Sequence, residues 1–524
     1  MNMRKIIALL MALMLIVSLI GCGENDKSDV SSSATDDSSE QISDESYDDG
    51  VLRMPDVIGM EQDEAKAVLK ALGQTARLSL EYSSEVEKGC VIRSDYEVGE
   101  ELVKNGHVIL YISDGEGSGY DPDVLYVDPL VEARGELPQG ANSDYVPLNY
   151  ETMKCVWLSQ FDMNGVYCAG IQRDKDDFTA RIRQVFENVA RDGFNTVIVQ
   201  LRPNGDSFYP SKYYPWSKYV VGAYGTYGIY DPLEIMIEEA HKLQLSFQAW
   251  INPMRGCESS TSIEIFNVSY PLRQWNDDPS KNKYFMEYSQ RYYLNPAYEE
   301  VRQLIIDGVV ELVRYYDVDG IHMDDYFYPS GIPSSFDQEA FDQSGLSSRL
   351  TFRQNNLKAL VSGMYSAIKA ENPNVLYGIS PAGNLYNVRY KDCLDIDYIL
   401  SHEGFVDYIM PQLYWGFEHP TAPFGPLFDE WCSLIKVDSI KMVTGVSLGR
   451  AAGESTDEWR NNKDVFKRYV EYMQDSGMFS GFSVYCYSYM YIVSTGQPNA
   501  GVAEEMSNFL PLIQKIENVK VQYS

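Results

Sequence analysis

Basic residues are scarce in this chain. Forty-three Lys and Arg stand against 76 Asp and Glu, a formal charge of −33 over 524 residues. Such a chain has no cationic surplus to neutralise a phosphate backbone, which excludes nucleic acid as a partner. It also gains nothing from bulk attraction to anionic polymers. Histidine is nearly absent, five in all and scattered, so no metal constellation is indicated and no cofactor is expected. Cysteine is sparse too. Beyond Cys22 there are Cys90, Cys155, Cys168, Cys257, Cys393, Cys432 and Cys486, an odd number at wide spacings with no C-x-x-C. That pattern indicates neither a disulfide framework nor a zinc site. Long apolar runs are missing except from Ile6 to Ile20, which is too short and wrongly flanked for a stable membrane span.

That run follows Arg4 and Lys5 and ends in Leu19-Ile20-Gly21-Cys22. It reads as a targeting segment over 1–21 that resembles a bacterial lipoprotein signal, with cleavage before Cys22 and lipid on its thiol. The resemblance implies an extracytoplasmic protein anchored to the cell membrane by acyl chains. Residues 22–50 are mostly Ser, Asp and Glu. They carry too little apolar surface to offset chain entropy, so a disordered acidic tether is expected. The remaining length is enough for one large core plus a small module.

Residues 51–115 form that module. Met54-Pro55-Asp56-Val57-Ile58-Gly59-Met60 leads into an acidic helix start, apolar residues at helical spacing through Leu72, and a stop at Gly73. Strand-like pieces follow at Leu78–Tyr82, Cys90–Arg93 and Val108–Ser113, punctuated by Gly89, Gly99 and Gly106. The order of these pieces resembles a PASTA domain, a small α+β module of bacterial surface proteins acting at peptidoglycan, which implies either wall binding or spacing. The family's Gln-x-Pro segment is replaced by Arg93-Ser94-Asp95-Tyr96. Residues 116–150, rich in Gly, Asp and Pro, read as a linker whose last part packs on the next domain.

From Lys154 strand and helix signals alternate. Strands are predicted at Cys155–Phe161, Thr196–Leu201, Ser246–Ile251, Asp319–Met323, Val375–Ser380, Tyr408–Leu413, Lys441–Val446 and Gly481–Tyr487, with amphipathic helices between them. Eight such repeats over 151–518 count as a (β/α)8 TIM barrel, with a doubly wound sheet as the alternative. A long insertion, 256–293, follows the third strand.

The fourth strand is the most informative. Asp319-Gly320-Ile321-His322-Met323-Asp324-Asp325-Tyr326-Phe327-Tyr328-Pro329 runs from an apolar strand into two carboxylates and an aromatic loop. Alternation puts His322, Asp324 and Tyr326 on one face, and a carboxylate at the C-terminal end of a barrel strand lies where such barrels keep their chemistry. Other strand exits offer Arg202, Asn204 and Asp206; Asn252 and Arg255; and Gln412, Tyr414 and Trp415. Amides, guanidinium groups, carboxylates and flat rings suit a sugar-binding cleft, and 40 Tyr with seven Trp supply rings in plenty.

These blocks, together with Pro215-Trp216-Ser217, Tyr293-Leu294-Asn295-Pro296-Ala297 and Gly378-Ile379-Ser380-Pro381, resemble in order the glycosyl hydrolase-like family ten proteins. The resemblance implies a (β/α)8 hydrolase, some of whose relatives cut peptidoglycan glycan strands, and adds Trp216 and Asn295 to the substrate-contact candidates. Glycosidases usually need two carboxylates, about 5 Å apart for retention and roughly 6.5–9.5 Å for inversion. Asp324 is the candidate nucleophile or base, with His322 touching the sugar or orienting it. Asp325 and Asp206 are the candidate acids, Asp206 and Asp324 raising each other's pKa. Asp162 is less favoured, and Glu403, preceding strand six, belongs to the opposite face. The expected function is hydrolysis of peptidoglycan strands. The alternatives are another external polysaccharide, or a non-catalytic glycan-binding lipoprotein.

Overall fold

The computed structural model describes residues 51–523 apart from 82, 84, 105, 114–120, 259, 290, 325, 326 and 454–456. The signal, Cys22 and the acidic tether therefore lie outside the described residues, as do Asp325 and Tyr326.

The small module follows the sequence reading. Its helix, Gln62–Ala71, starts where the Glu61 carboxylate accepts the Asp63 N–H at 2.8 Å. Thr75–Glu81 pairs parallel with His107–Ser113, which pairs antiparallel with Val91–Ser94. Val57, Ala65, Leu69, Val91, Val108 and Leu110 form its core.

The large domain is built on eight parallel strands: β1 Met153–Leu158, β2 Thr196–Arg202, β3 Ser246–Ile251, β4 Gly320–Asp324, β5 Leu376–Ser380, β6 Tyr408–Ile409, β7 in two pieces (Lys441–Met442 and Thr444–Ser447), and β8 Gly481–Tyr485. Each pairs in register with the next, β8 pairs with β1, and the two pieces of β7 pair with β6 and β8 respectively. The two ends of the sheet are thus halves of one strand, and the barrel closes. The expected doubly wound alternative falls with that closure. β6 is shorter than expected because Pro411 has no N–H for the ladder; pairing resumes only as single bridges from Gln412 to Ala382 and Gly445.

Outward side chains of the strands join the helix layer in one apolar core, while Met153, Cys155, Trp157, Ile198, Trp250, Tyr408, Met410 and Val443 fill the interior. Glycine makes room there. A Cβ on Gly378 would lie 2.1 Å from the Tyr408 ring, so only a residue without one lets that ring cross the barrel.

The segment before the barrel is more than a linker. It forms a short helix, Pro129–Arg134, and a run that seals the N-terminal base. There Asp319, fully buried, accepts Tyr145 Oη at 2.6 Å and Leu148 N at 2.5 Å on one oxygen, and Phe247 N at 2.6 Å on the other. His241 Nε2 lies 2.8 Å from that second oxygen. Burial works against a charged His241, but the bond to Asp319 and its charge outweigh this and raise the imidazole pKa.

Candidate active site

The C-terminal mouth holds a cavity of about 320 Å3 lined by residues from β1, β2, β3, β4, β6 and β8 or their exits. Asp324 closes β4 and points into it, because alternation from Gly320 sends His322 and Asp324 inward while Ile321 and Met323 join the outer core. Gln412 Nε2 donates to Asp324 Oδ1 at 2.6 Å and reaches the Ser380 carbonyl at 3.2 Å. A second relay crosses the floor. Gln160 N donates to Gln200 Oε1 at 2.7 Å, Gln200 Nε2 to Asn252 Oδ1 at 2.6 Å, and Asn252 Nδ2 to the Asp324 carbonyl at 3.3 Å. The amides thus fix both the backbone and one carboxylate oxygen of Asp324, a charge-assisted contact of the stronger kind.

Aromatic groups make the walls. Trp157 and Trp250 meet edge to face at 4.7 Å, and Tyr414 stacks with Tyr485 at 6.0 Å. Phe161 stands at the rim with 72% of its surface exposed. Of the expected substrate contacts, Asn252, Arg255, Gln412 and Tyr414 line this cavity. Trp157, Gln160, Phe161, Gln200 and Tyr485 also line it and were not singled out from sequence. Gln160, Phe161 and Gln200 carry a signal in the sequence, since each lies at the end of a predicted strand, whereas Trp157 and Tyr485 lie inside theirs.

Other expected site residues are elsewhere, each for a visible reason. His322 is fully buried beneath the cavity, with Nδ1 2.7 Å from Tyr408 Oη and its ring edge-on to Trp157 at 4.8 Å. Burial pushes its pKa down to about 3, so it is a neutral floor residue and not a sugar contact. Arg202 stacks its guanidinium on Tyr214 at 3.8 Å, after a bulge between Gln200 and Arg202 has turned it out of the barrel. Asn204 is buried in the loop beyond. Trp216 is buried and donates its indole N–H to Asp128. Asn295 is buried and donates to the Phe336 carbonyl at 2.8 Å, fastening the insertion. Trp415 lies outside the cavity lining, its ring 6.0 Å from His419.

Asp206 requires the main correction. It does not line the mouth but is enclosed under the insertion, where Tyr224 Oη donates to it at 3.2 Å. Its pKa is raised to about 6, chiefly by burial, against the Ser217 bond and with help from Glu258. Asp324 is not among the causes. Asp162 is also excluded as a free acid. It is buried, one oxygen accepting Ser159 N at 2.7 Å and the other Ser488 N at 2.9 Å. Glu403 is exposed, outside the cavity, on the approach to β6. Among the described residues lining the mouth, Asp324 is the single carboxylate.

A closed eight-stranded barrel with a steadied carboxylate at the end of β4, between amides and rings, defines a (β/α)8 enzyme of the glycosidase type. Comparison with known proteins makes this specific. The Glycosyl hydrolase-like 10 model matches residues 152–459 and the PASTA domain model residues 52–114. Glycosyl hydrolase YngK of Bacillus subtilis (strain 168) is 31% identical over 357 residues, 63% of this chain and 68% of that protein. Glycosyl hydrolase DigH of Escherichia coli (strain K12) is 30% identical over 347 residues, 60% of this chain and 78% of that protein. Among solved structures, the catalytic domain of beta-amylase from Paenibacillus polymyxa superposes with a TM-score of 0.48 at 10% identity, covering 69% of this chain and 99% of that chain. The chain belongs to the glycosyl hydrolase-like 10 family and is a glycoside hydrolase with an N-terminal PASTA domain.

Proposed function

We propose that this enzyme works at the extracytoplasmic face of a bacterial membrane, tethered through lipid on Cys22, and hydrolyses O-glycosidic bonds in peptidoglycan glycan strands. The observation that carries the reading is the mouth itself: Asp324, held by Gln412 at 2.6 Å, faces a cleft of amides and aromatic rings. Flat rings pack against sugar faces, and amide groups suit both the hydroxyls and the N-acetyl groups of such a strand. The signal-like run ending at Cys22 and the PASTA domain support the wall as the place of action. Asp324 supplies the carboxylate that attacks the anomeric carbon, or takes the proton of the water attacking it, while the bond to the leaving sugar's oxygen breaks and that oxygen takes up a proton. Gln412 keeps that carboxylate in one orientation.

The test is digestion of purified peptidoglycan by the soluble chain from Val51 onward. Intact sacculi and peptide-free strands are compared, with products identified by mass spectrometry. Shortened glycans with new reducing ends support the reading and name the bond. Release only from unrelated polysaccharides moves the substrate elsewhere. Binding to strands without any cleavage removes the proposed activity.

A further inference from the structure

A second cavity, about 600 Å3, lies away from the mouth, against the outer face of the helix Glu299–Tyr315. Its roof is the short helix Pro129–Arg134, and its remaining wall comes from the loop after β2 and from the insertion. The roof is held at both ends. Asp128 caps it through Leu130 N at 2.8 Å and accepts the Trp216 indole N–H. Arg134 donates to Glu311 at 2.8 Å and to the Pro210 carbonyl at 3.0 Å. Glu311 is itself buried, and it also accepts Ser211 Oγ at 2.5 Å and Lys212 N at 2.8 Å. Roof, loop and floor therefore converge on one carboxylate, and the cavity is pre-formed, as ligand sites of roughly 300–1,000 Å3 usually are.

Its chemistry is selective. Tyr126, Tyr213, Tyr270 and Tyr315 present rings to it, with Tyr126 braced against Tyr227 at 4.1 Å and Tyr315 under the Arg134 guanidinium at 4.0 Å. The cations of the wall are already engaged: Arg134 with Glu311, Lys212 with Glu136 at 2.6 Å, and Arg314 with Glu371 at 2.5 Å. Asp307 and Glu132 also line it, and among the described residues neither forms an ion pair with Lys or Arg. These carboxylates disfavour an anionic group inside the cavity, so the unit it takes from a strand is an uncharged sugar, the carboxylate-bearing sugars beside it staying in solvent. A neutral, hydroxyl-rich ligand with flat apolar faces finds rings for its faces and carboxylate oxygens for its hydroxyls.

We propose that this cavity is a second, non-hydrolytic glycan subsite that holds a strand on the barrel flank while another part of the polymer occupies the mouth. The choice of ligand rests on the glycan substrate proposed above. Holding one chain at two points raises the effective concentration of the rest of the polymer at the mouth without any new contact there.

The experiment uses the full chain and two probes: co-sedimentation with insoluble peptide-free glycan strands, and hydrolysis of short soluble fragments of the same strands. Tyr213→Ala combined with Tyr270→Ala is expected to weaken co-sedimentation at least fivefold while leaving the rate on short fragments within twofold. Val131→Trp fills the cavity from its roof without removing a ring, and is expected to do the same at unchanged Tm. Parent-like co-sedimentation of Val131→Trp overturns the subsite. Should the parent fail to cleave strands while both variants lose binding, the proposed activity falls and the subsite stands. Should the parent cleave strands while both variants bind normally, the activity stands and the subsite falls.

Discussion

Replacing Asp319 by Asn keeps the shape of the side chain at the base of the barrel and removes its charge and one acceptor. The native carboxylate is fully buried and takes Tyr145 Oη and Leu148 N on one oxygen, and Phe247 N on the other, where His241 also sits. An asparagine oxygen can serve one of these pairs. Its amide nitrogen then faces the other, leaving at least one buried N–H without an acceptor, which costs about 1–3 kcal/mol. The surviving bonds lose their charge assistance, about 1 kcal/mol each. The sum, about 3–5 kcal/mol, matches the usual cost of breaking a buried charged network. All seven tryptophans fall between Trp157 and Trp459, so urea unfolding followed by tryptophan emission reports the barrel alone. A midpoint shift worth less than about 1 kcal/mol would refute the argument that Asp319 clamps the pre-barrel segment to β3 and β4.

Gln412→Leu removes the donor to Asp324 at 2.6 Å. A bond to a charged group is worth about 1.5–3 kcal/mol, so kcat should fall about 10- to 100-fold with Tm little changed; a rate within twofold of the parent contradicts the positioning role. Asp206→Asn should retain activity within a few-fold, because Asp206 does not line the mouth. Asp206 has a folded pKa raised from 3.8 to about 6, so its stabilising contribution is full below pH 3.8 and lost as pH rises through about 6. At pH 8 the Asn variant should therefore unfold at equal or higher urea than the parent, and lower urea counts against this. His241, whose folded pKa is raised above 6.5, contributes stability present below pH 6.5 and lost as pH climbs through the folded value. His241→Gln should flatten that part of the stability profile, and an unchanged slope would show that Asp319 does not hold the charged imidazole.

Much of this was legible in the sequence because barrel strands announce themselves as apolar runs of fixed length. β3 coincides with the predicted Ser246–Ile251, and inward placement of Asp324 followed from alternation. The expectations that failed lay mostly in the loops beyond strand ends, although Asn252, Arg255, Gln412 and Tyr414 do reach the mouth. Asp206 lies four residues past β2, close enough to suggest the mouth, but the bulge at Gln200–Arg202 turns the loop outward. Gly205 then packs so tightly on the insertion that a Cβ there would lie 1.9 Å from the Gly256 carbonyl oxygen. No local pattern reports a contact between residues about 50 positions apart. The same holds for Trp216, which the resemblance offers as a substrate contact until Asp128 is seen against it, and for the run 121–150, whose polar composition masks a segment tied to the barrel through Glu311 and Asp319. His322 was placed on the correct face but at the wrong depth, since Trp157 and Tyr408 close over it.

The most direct test of the account is the rate of new reducing-end formation on peptide-free glycan strands by the parent and by Asp324→Asn at equal strand occupancy. A loss on the order of 10³ or more in kcat is expected, with strand binding and Tm preserved, because a group acting on the reacting bond is removed. A variant retaining more than a tenth of the parent rate would contradict the assignment of Asp324 as the carboxylate that performs the hydrolysis.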